Sequence, residues 1–174
     1  MKYYRIETDK SDPLPDIRDI YTKIYPRYLT PELFHRLEDF YAADMKADPE
    51  LSIPEIFTAP FLMVTREMYE VITAYEPELS VKYINFIENK RGIYLPYLIP
   101  LLHVAAVRTG KEEINAQTGV QKVILRQDRP KQAIFAIDDG ICRKTVVRLD
   151  LLESILRRGM IRLKAQEIDL CVEE

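Results

Sequence analysis

The chain has 174 residues and a formal net charge of −3, with 47% hydrophobic and 30% charged residues. This composition is typical of a soluble globular protein, and it excludes a disordered tail, a coiled coil and a membrane protein. The net charge is too small to indicate nucleic acid binding by itself. The charge is unevenly distributed, however, because residues 1–89 contain 10 basic and 17 acidic residues, whereas residues 90–174 contain 15 and 11.

The first sixty residues predict one strand, two helices and a long connection. Residues 2–7 read as a short strand, and residues 16–24 have apolar residues three and four apart, as on one face of a helix. Residues 30–41 give the clearest helix signal, because Thr30 can cap the first turn and a proline follows it. Residues 42–60 carry three prolines among acidic residues, so we expect a connecting segment with little regular structure.

Two later segments each predict the order strand, helix, strand, and we interpret them as a weak internal repeat. In residues 61–87, Thr65 can cap the helix that lies between the two strands. In residues 143–170, Asp150 begins the spacing of a capping box, and Gly159 suits the left-handed end of the helix.

The remaining apolar segments predict further strands. Residues 93–98, 101–107 and 120–126 have the composition of strands, and Asp139-Gly140 between two apolar runs predicts a tight hairpin. Together the elements predict a single α+β domain over all 174 residues. We expect one mixed or mostly antiparallel sheet with three to five short helices packed on it.

No catalytic, cofactor or metal-binding motif occurs in the sequence. His35 and His103 are the only histidines, and no cysteine lies beside either of them. We therefore assign no catalytic, cofactor or metal residue. Cys142 and Cys171 are the only cysteines and do not make a disulfide framework, which favours a reduced, cytoplasmic setting. No membrane span is expected, because prolines interrupt the longest apolar run.

An acidic segment begins at Glu38, and aromatic residues lie among its acidic residues. Such surfaces suit protein association, because the charges guide the encounter and the rings supply desolvated contact area. We interpret the segment as a surface for a basic protein partner, and an ordinary solvated surface is the alternative. The candidate partner-binding residues are Glu38, Asp39, Tyr41, Asp44, Asp48 and Glu50.

Basic residues are concentrated in the C-terminal half, where nucleic acid binding is the alternative function. They fall on several strands and a helix with aspartates among them, so pairing of opposite charges across the sheet is the simpler interpretation. A homo-oligomer remains open, as does a small enzyme whose site is assembled from scattered side chains. The basic residues are Lys122, Arg126, Arg129, Lys131, Arg143, Lys144, Arg148, Arg157, Arg158, Arg162 and Lys164.

Three parts of the chain carry a family resemblance. They are the opening Met1-Lys2-Tyr3-Tyr4, the strand-to-helix step Phe61-Leu62-Met63-Val64-Thr65-Arg66-Glu67, and the closing stretch with Leu149-Asp150-Leu151-Leu152-Glu153-Ser154. In these parts the chain resembles an immunity-protein family of bacterial polymorphic toxin systems, formerly described as a domain of unknown function. The resemblance implies a cytoplasmic protein that is not an enzyme and that neutralises a cognate toxin by stoichiometric binding, without a cofactor.

Overall fold

The computed structural model describes residues 1–108, 113–138 and 142–172. Within these residues the strands divide between two mixed sheets, and three short α-helices complete an α+β fold. The predicted α+β class is confirmed. The prediction of one sheet is wrong, because the strands form two separate sheets that pack on each other through their helices.

The elements follow in chain order. The helices are α1 (Ile20–Lys23), α2 (Arg66–Thr73) and α3 (Leu149–Arg157). The strands are β1 (Tyr3–Thr8), β2 (Phe40–Asp44), β3 (Ile56–Phe57), β4 (Met63–Val64), β5 (Val81–Glu88), β6 (Ile93–Pro100), β7 (Val104–Ala106), β8 (Glu113–Ile114), β9 (Gln121–Leu125), β10 (Ile134–Asp138), β11 (Arg143–Arg148) and β12 (Leu163–Val172).

The first sheet has the strand order β7-β10-β11-β1-β12-β9-β8, and all of it except β8 closes into a small barrel. Closure occurs where the end of β7 meets β9, because Val107 pairs with Leu125 and the N–H of Arg108 donates to the carbonyl of Ile124 at 2.8 Å. Side chains fill the interior, as expected for a barrel this narrow. They include Tyr3, Ala105, Leu125, Phe135, Ile137, Val146, Ile168 and Leu170.

The second sheet has the strand order β2-β5-β6-β4-β3, with β2 parallel to β5 and the other pairs antiparallel. One face of this sheet is covered by residues 17–37, whose apolar side chains pack against Ile84, Phe86 and Tyr97. Part of the opposite face packs against α2, α3 and the barrel, where Leu98 is buried. The end of that face nearest β2 is left uncovered.

The two segments predicted as a repeat have the same topology in the structure. In β4-α2-β5 the two strands lie on either side of β6, and in β11-α3-β12 they lie on either side of β1. In both cases the intervening strand is antiparallel to its neighbours. The helices contact each other and bury Met68, Val71, Ile72, Leu151, Leu152 and Ile155 between the sheets.

The caps that separate helix from strand are largely as predicted. The hydroxyl of Thr65 accepts the N–H of Met68 at 3.4 Å and begins α2. Gly159 follows α3 with φ +77°, a left-handed conformation that glycine adopts without a steric penalty. The predicted Asp139-Gly140 turn lies outside the described residues, although the flanking strands β10 and β11 do pair antiparallel.

The helix predicted for residues 30–41 is wrong. Phe34–Arg36 makes one 3₁₀ turn, and the chain then extends into β2. Phe34 and Leu37 have helical spacing, yet they are buried under the second sheet from an irregular segment. Tertiary packing here overrides the local preference for helix. The helix predicted for residues 16–24 is likewise reduced to the single turn of α1.

The capping box predicted at Asp150 does not form. Arg148 is the N-cap residue of α3 and makes no capping bond through its side chain. The Arg148 guanidinium instead donates two hydrogen bonds to the Asp150 carboxylate, at 2.7 and 2.8 Å, and the N–H of Leu151 donates to the same group. These bonds, led by those from Arg148, lower the pKa of Asp150 below 3.8.

We expect Asp150→Asn to destabilise the protein at neutral pH and to have no effect in strong acid. Because the pKa of Asp150 is lower in the folded chain than in the unfolded chain, its stabilisation is present above pH 3.8 and is lost as the pH falls through the folded value. Half of this side chain is exposed, so we expect a loss of at most about 1 kcal/mol. Urea denaturation at both pH values measures the difference. Asp12→Asn, at an exposed bend, is the control, and an equal loss by Asp150→Asn at both pH values would contradict the mechanism.

Candidate partner-binding surface

The six residues predicted to bind a partner lie along one edge of the second sheet. β2 forms that edge, and among the described strands it pairs with β5 alone. Two of the residues precede β2, two lie in it and two follow it: Glu38 and Asp39, Tyr41 and Asp44, Asp48 and Glu50. All of them except Tyr41 are exposed. The structure thus places acidic side chains at both ends of a strand about 16 Å long.

Asp39 holds a buried cation in place. Its Oδ1 lies 2.6 Å from Nζ of Lys82 on β5, and this lysine side chain is only 9% exposed, whereas that of Asp39 is 94% exposed. The ammonium also lies 5.2 Å from the centre of the Phe34 ring, which is close enough for a cation–π contact. The carboxylate and the ring together offset the cost of removing the Lys82 ammonium from water.

The side chain of Tyr41 is turned toward the core. Its ring is half-buried against the apolar cluster beneath the second sheet. Its hydroxyl accepts the N–H of Glu38 at 2.9 Å and so fixes the bend that leads into β2. Tyr41 therefore positions the acidic residues that precede β2.

Asp44 and Asp48 line a groove of about 490 Å³ at the other end of β2. Asp16 and Glu88 line the same groove, so that four carboxylate side chains converge there from separate segments. Oδ1 of Asp44 accepts a hydrogen bond of 3.0 Å from the side chain of Asn89. Lys46 and Lys90 also lie on the groove wall, and we call this site the anionic groove after its four carboxylates.

Two of the groove carboxylates have depressed pKa values. Hydrogen bonds from the Arg18 guanidinium and backbone hold the pKa of Asp16 at about 2. Desolvation opposes ionisation of Glu88, but hydrogen bonds from the side chain and backbone of Arg91 outweigh it and lower the pKa of Glu88 below 4.5. Both groups are therefore ionised at neutral pH.

An exposed aromatic face adjoins this edge, and the acidic segment predicted from the sequence includes only one of its three rings, that of Phe40. Phe40, Tyr83 and Tyr94 lie on the uncovered face of the second sheet and are 58%, 51% and 64% exposed. The strand register aligns Phe40 with Tyr83, and Tyr94 lies four residue pairs further along β5 and β6, opposite Ile87. We call Phe40, Tyr83 and Tyr94 the aromatic face.

The aromatic face could not be predicted from β5, because polar and apolar residues do not alternate along this strand. Lys82 and Glu88 point toward the covered side of the sheet, whereas Tyr83 points toward solvent. Phe40 fitted the apolar stripe of a predicted helix that does not form. Only the register between β2, β5 and β6 brings the three rings to one face, and local sequence does not encode that register.

Several basic side chains of the C-terminal half are paired with carboxylates, as the simpler interpretation predicted. The cross-strand pair Arg143–Asp138 measures 3.6 Å, and further pairs are Arg148–Asp150 at 2.7 Å, Arg157–Glu153 at 3.6 Å and Lys164–Asp9 at 3.4 Å. Arg162 instead donates to the carbonyl of Ser52 at 3.1 Å. Arg143–Asp138 joins neighbouring strands and Lys164–Asp9 joins β12 to the residue after β1, whereas the other two pairs are local in the chain.

The described residues contain no group of three or more histidine, cysteine, aspartate or glutamate side chains placed to hold a metal ion. Both histidines are exposed, and His103 lies in the irregular connection between β6 and β7 although an apolar strand was predicted there. In the parts of the chain that the structure describes, no helix has the length and apolar character needed to cross a membrane.

The sequence was compared with known proteins. It matches no protein-family model. A search of the curated proteins finds no match either.

Proposed function

We propose that this chain is a cytoplasmic immunity protein that binds a cognate bacterial toxin and neutralises it by stoichiometric protein–protein interaction. The observation that carries the proposal is the aromatic face, three half-exposed rings on a rigid sheet with carboxylates at its border. Tyrosine and phenylalanine are enriched at the centre of protein interfaces, because a ring buries a large area with little loss of side-chain freedom. The resemblance to an immunity-protein family supports the same function.

The acidic groups at the two ends of β2 suit a basic partner. Asp39 and Glu38 lie at one end, and the anionic groove with Asp44 and Asp48 lies at the other. Charges of one sign around a contact area attract an oppositely charged protein over distances of several ångströms and raise its association rate. The rings between them would then exclude water from the contact. A toxin held there is inactive if its active site is covered or if it is fixed in an inactive arrangement.

The proposal is tested by co-expression with the protein encoded by the adjoining gene. We expect that protein to be toxic when it is expressed alone, and we expect this chain to rescue growth and to form a complex of fixed stoichiometry with it. If the neighbouring gene encodes a large protein with a variable C-terminal domain, that domain alone is used as the binding probe. A harmless neighbour, or a toxic one that this chain neither binds nor counteracts, would contradict the proposal.

Reversing charge in the anionic groove is expected to slow association. With the double variant Asp44→Lys and Asp48→Lys we expect an association rate about tenfold lower at low salt, because the attraction between the charges becomes repulsion. The difference should shrink as salt is added. The control is Glu67→Lys with Glu70→Lys, which makes the same charge change on exposed positions of α2. Stopped-flow fluorescence measures both rates, and equal slowing by the two variants would show that the groove is not the steering site.

A further inference from the structure

The outer edge of β2 presents backbone groups, and none of the strands that the structure describes lies beside them. The N–H of Tyr83 donates to Asp39, and the N–H of Met45 donates to Ile87, each at 2.9 Å. In this parallel ladder the odd-numbered residues of β2 therefore bond to β5, and Phe40 and Ala42 turn their N–H and C=O groups away from it. Within the described residues, no loop or side chain donates to or accepts from these four groups.

Other edges of the two sheets are short or covered. β3 and β8 have two residues each, and β7 is joined to β9 by the bridge between Val107 and Leu125. Natural proteins commonly protect longer edge strands with lysine, proline or a bulge. β2 contains neither lysine nor proline, so it keeps an edge that can accept another strand.

One end of the β2 edge is already closed, which defines where a strand can be added. The carboxylate of Asp19 accepts the N–H of Asp44 at 2.9 Å. Just beyond, Lys46 exchanges two backbone hydrogen bonds with Asp16. The open part is therefore the stretch from Phe40 to Ala42, where both residues are exposed.

The charges beside this opening distinguish a basic partner from a second copy of the chain. Asp39 and Asp44 flank it, one on each face of the sheet, and both are exposed. If two copies paired edge to edge, these carboxylates would approach each other, and like charges on neighbouring strands destabilise the pairing. A strand with lysine or arginine at alternate positions could instead present these cations on the face of Asp44, where they would meet its carboxylate and could lie over the Phe40 ring.

We propose that the outer edge of β2 binds an extended, basic segment of a partner protein by strand addition, an inference that rests on the proposed toxin-binding function and specifies how that site holds its partner. The added strand would exchange main-chain hydrogen bonds with Phe40 and Ala42. The side chains on one face of the added strand would lie beside the aromatic face. In complexes of this kind the main-chain hydrogen bonds supply affinity and the side chains supply specificity.

A basic peptide tests the edge without any toxin. The probe is the capped heptapeptide Lys-Val-Lys-Val-Lys-Val-Lys, and its control is the same peptide with alternate amides methylated so that they cannot donate. In amide NMR spectra we expect the probe to shift the signals of Phe40 and Ala42 and to slow their hydrogen exchange. The methylated peptide should bind at least about tenfold more weakly. The proposal is overturned if the probe does not bind or if it shifts only signals from another surface. It is also overturned if raising the protein concentration alone protects these two amides, because a second copy of the chain would then occupy the edge.

Two variants at one position separate the backbone from the side chain. Ala42→Pro removes the outward N–H, and an edge strand tolerates proline where that group faces solvent. Ala42→Val keeps the N–H and adds a side chain of similar size. We expect the proline variant to lose peptide binding about tenfold or more and the valine variant to retain it. Equal binding by both variants would overturn strand addition.

The same pair of variants distinguishes failure of this proposal from failure of the proposed function. If the wild-type chain neutralises the toxin and Ala42→Pro does so equally well, the toxin-binding function stands and strand addition at β2 is wrong. If the chain does not neutralise the toxin but the peptide still requires the Ala42 N–H, the edge is a strand-binding site and the immunity function is wrong.

Discussion

Replacing Phe135 with alanine is expected to lower the free energy of unfolding by about 3–5 kcal/mol. Phe135 is fully buried inside the barrel, and its ring meets that of Tyr3 edge-on, with 5.9 Å between the ring centres. Strands surround the ring on all sides, so the backbone cannot move in to fill the space that it leaves. The cost therefore includes a cavity as well as the lost burial of apolar area.

Urea denaturation measures this loss through the midpoint of the transition at an unchanged slope. The control is Leu156→Ala on α3, because Leu156 is an exposed hydrophobic residue and its replacement should change stability by no more than about 0.5 kcal/mol. If the two variants lose stability equally, the interior of the barrel is not packed as the structure describes.

The two partners of the Lys82–Asp39 ion pair are expected to respond unequally to substitution. Asp39→Ala leaves the nearly buried ammonium of Lys82 without its carboxylate. Removing one partner of a buried pair is costly, but Asp39 lies at the surface, so water can reach the Lys82 ammonium in the variant. We therefore expect the free energy of unfolding to fall by about 1–2 kcal/mol. Lys82→Met removes the buried charge and keeps the apolar stem, and the free Asp39 carboxylate is then simply hydrated. That variant should be close to neutral.

A double-mutant cycle tests the explanation for this inequality. In the Lys82→Met background, Asp39→Ala should cost almost nothing, because no buried cation remains to be stabilised. Urea denaturation of the four proteins supplies the coupling free energy. An equal cost of Asp39→Ala in both backgrounds would mean that Asp39 acts through the local chain and not through Lys82.

The features that could be predicted from the sequence are those that depend on neighbouring residues. The caps at Thr65 and Gly159 and the order strand, helix, strand in both repeats follow from local spacing, and the structure contains them. Closure of the barrel depends on pairing between β7 and β9, and the division into two sheets depends on which strands pair with each other. Both are long-range choices that the pattern of one sequence does not specify.

The candidate surface was predictable in part for the same reason. Acidic residues cluster in sequence between residues 38 and 50, so their concentration at one edge needed only a short range of chain. Asp16 and Glu88 reach the same groove from distant segments, and the aromatic face needs three strands in register. The sequence placed Phe40 among the acidic residues of the candidate surface, although it assigned this residue to a helix that does not form.

The contact between α2 and α3 couples the stability of the two sheets. Each helix is the crossover of a different sheet, so opening either sheet strips apolar cover from the helix of the other. A partner clamped onto β2 would stabilise the second sheet by mass action. Through the shared helix pair, the bound partner would also slow the opening of the barrel, which it does not contact. Binding at one edge would thus stabilise both sheets.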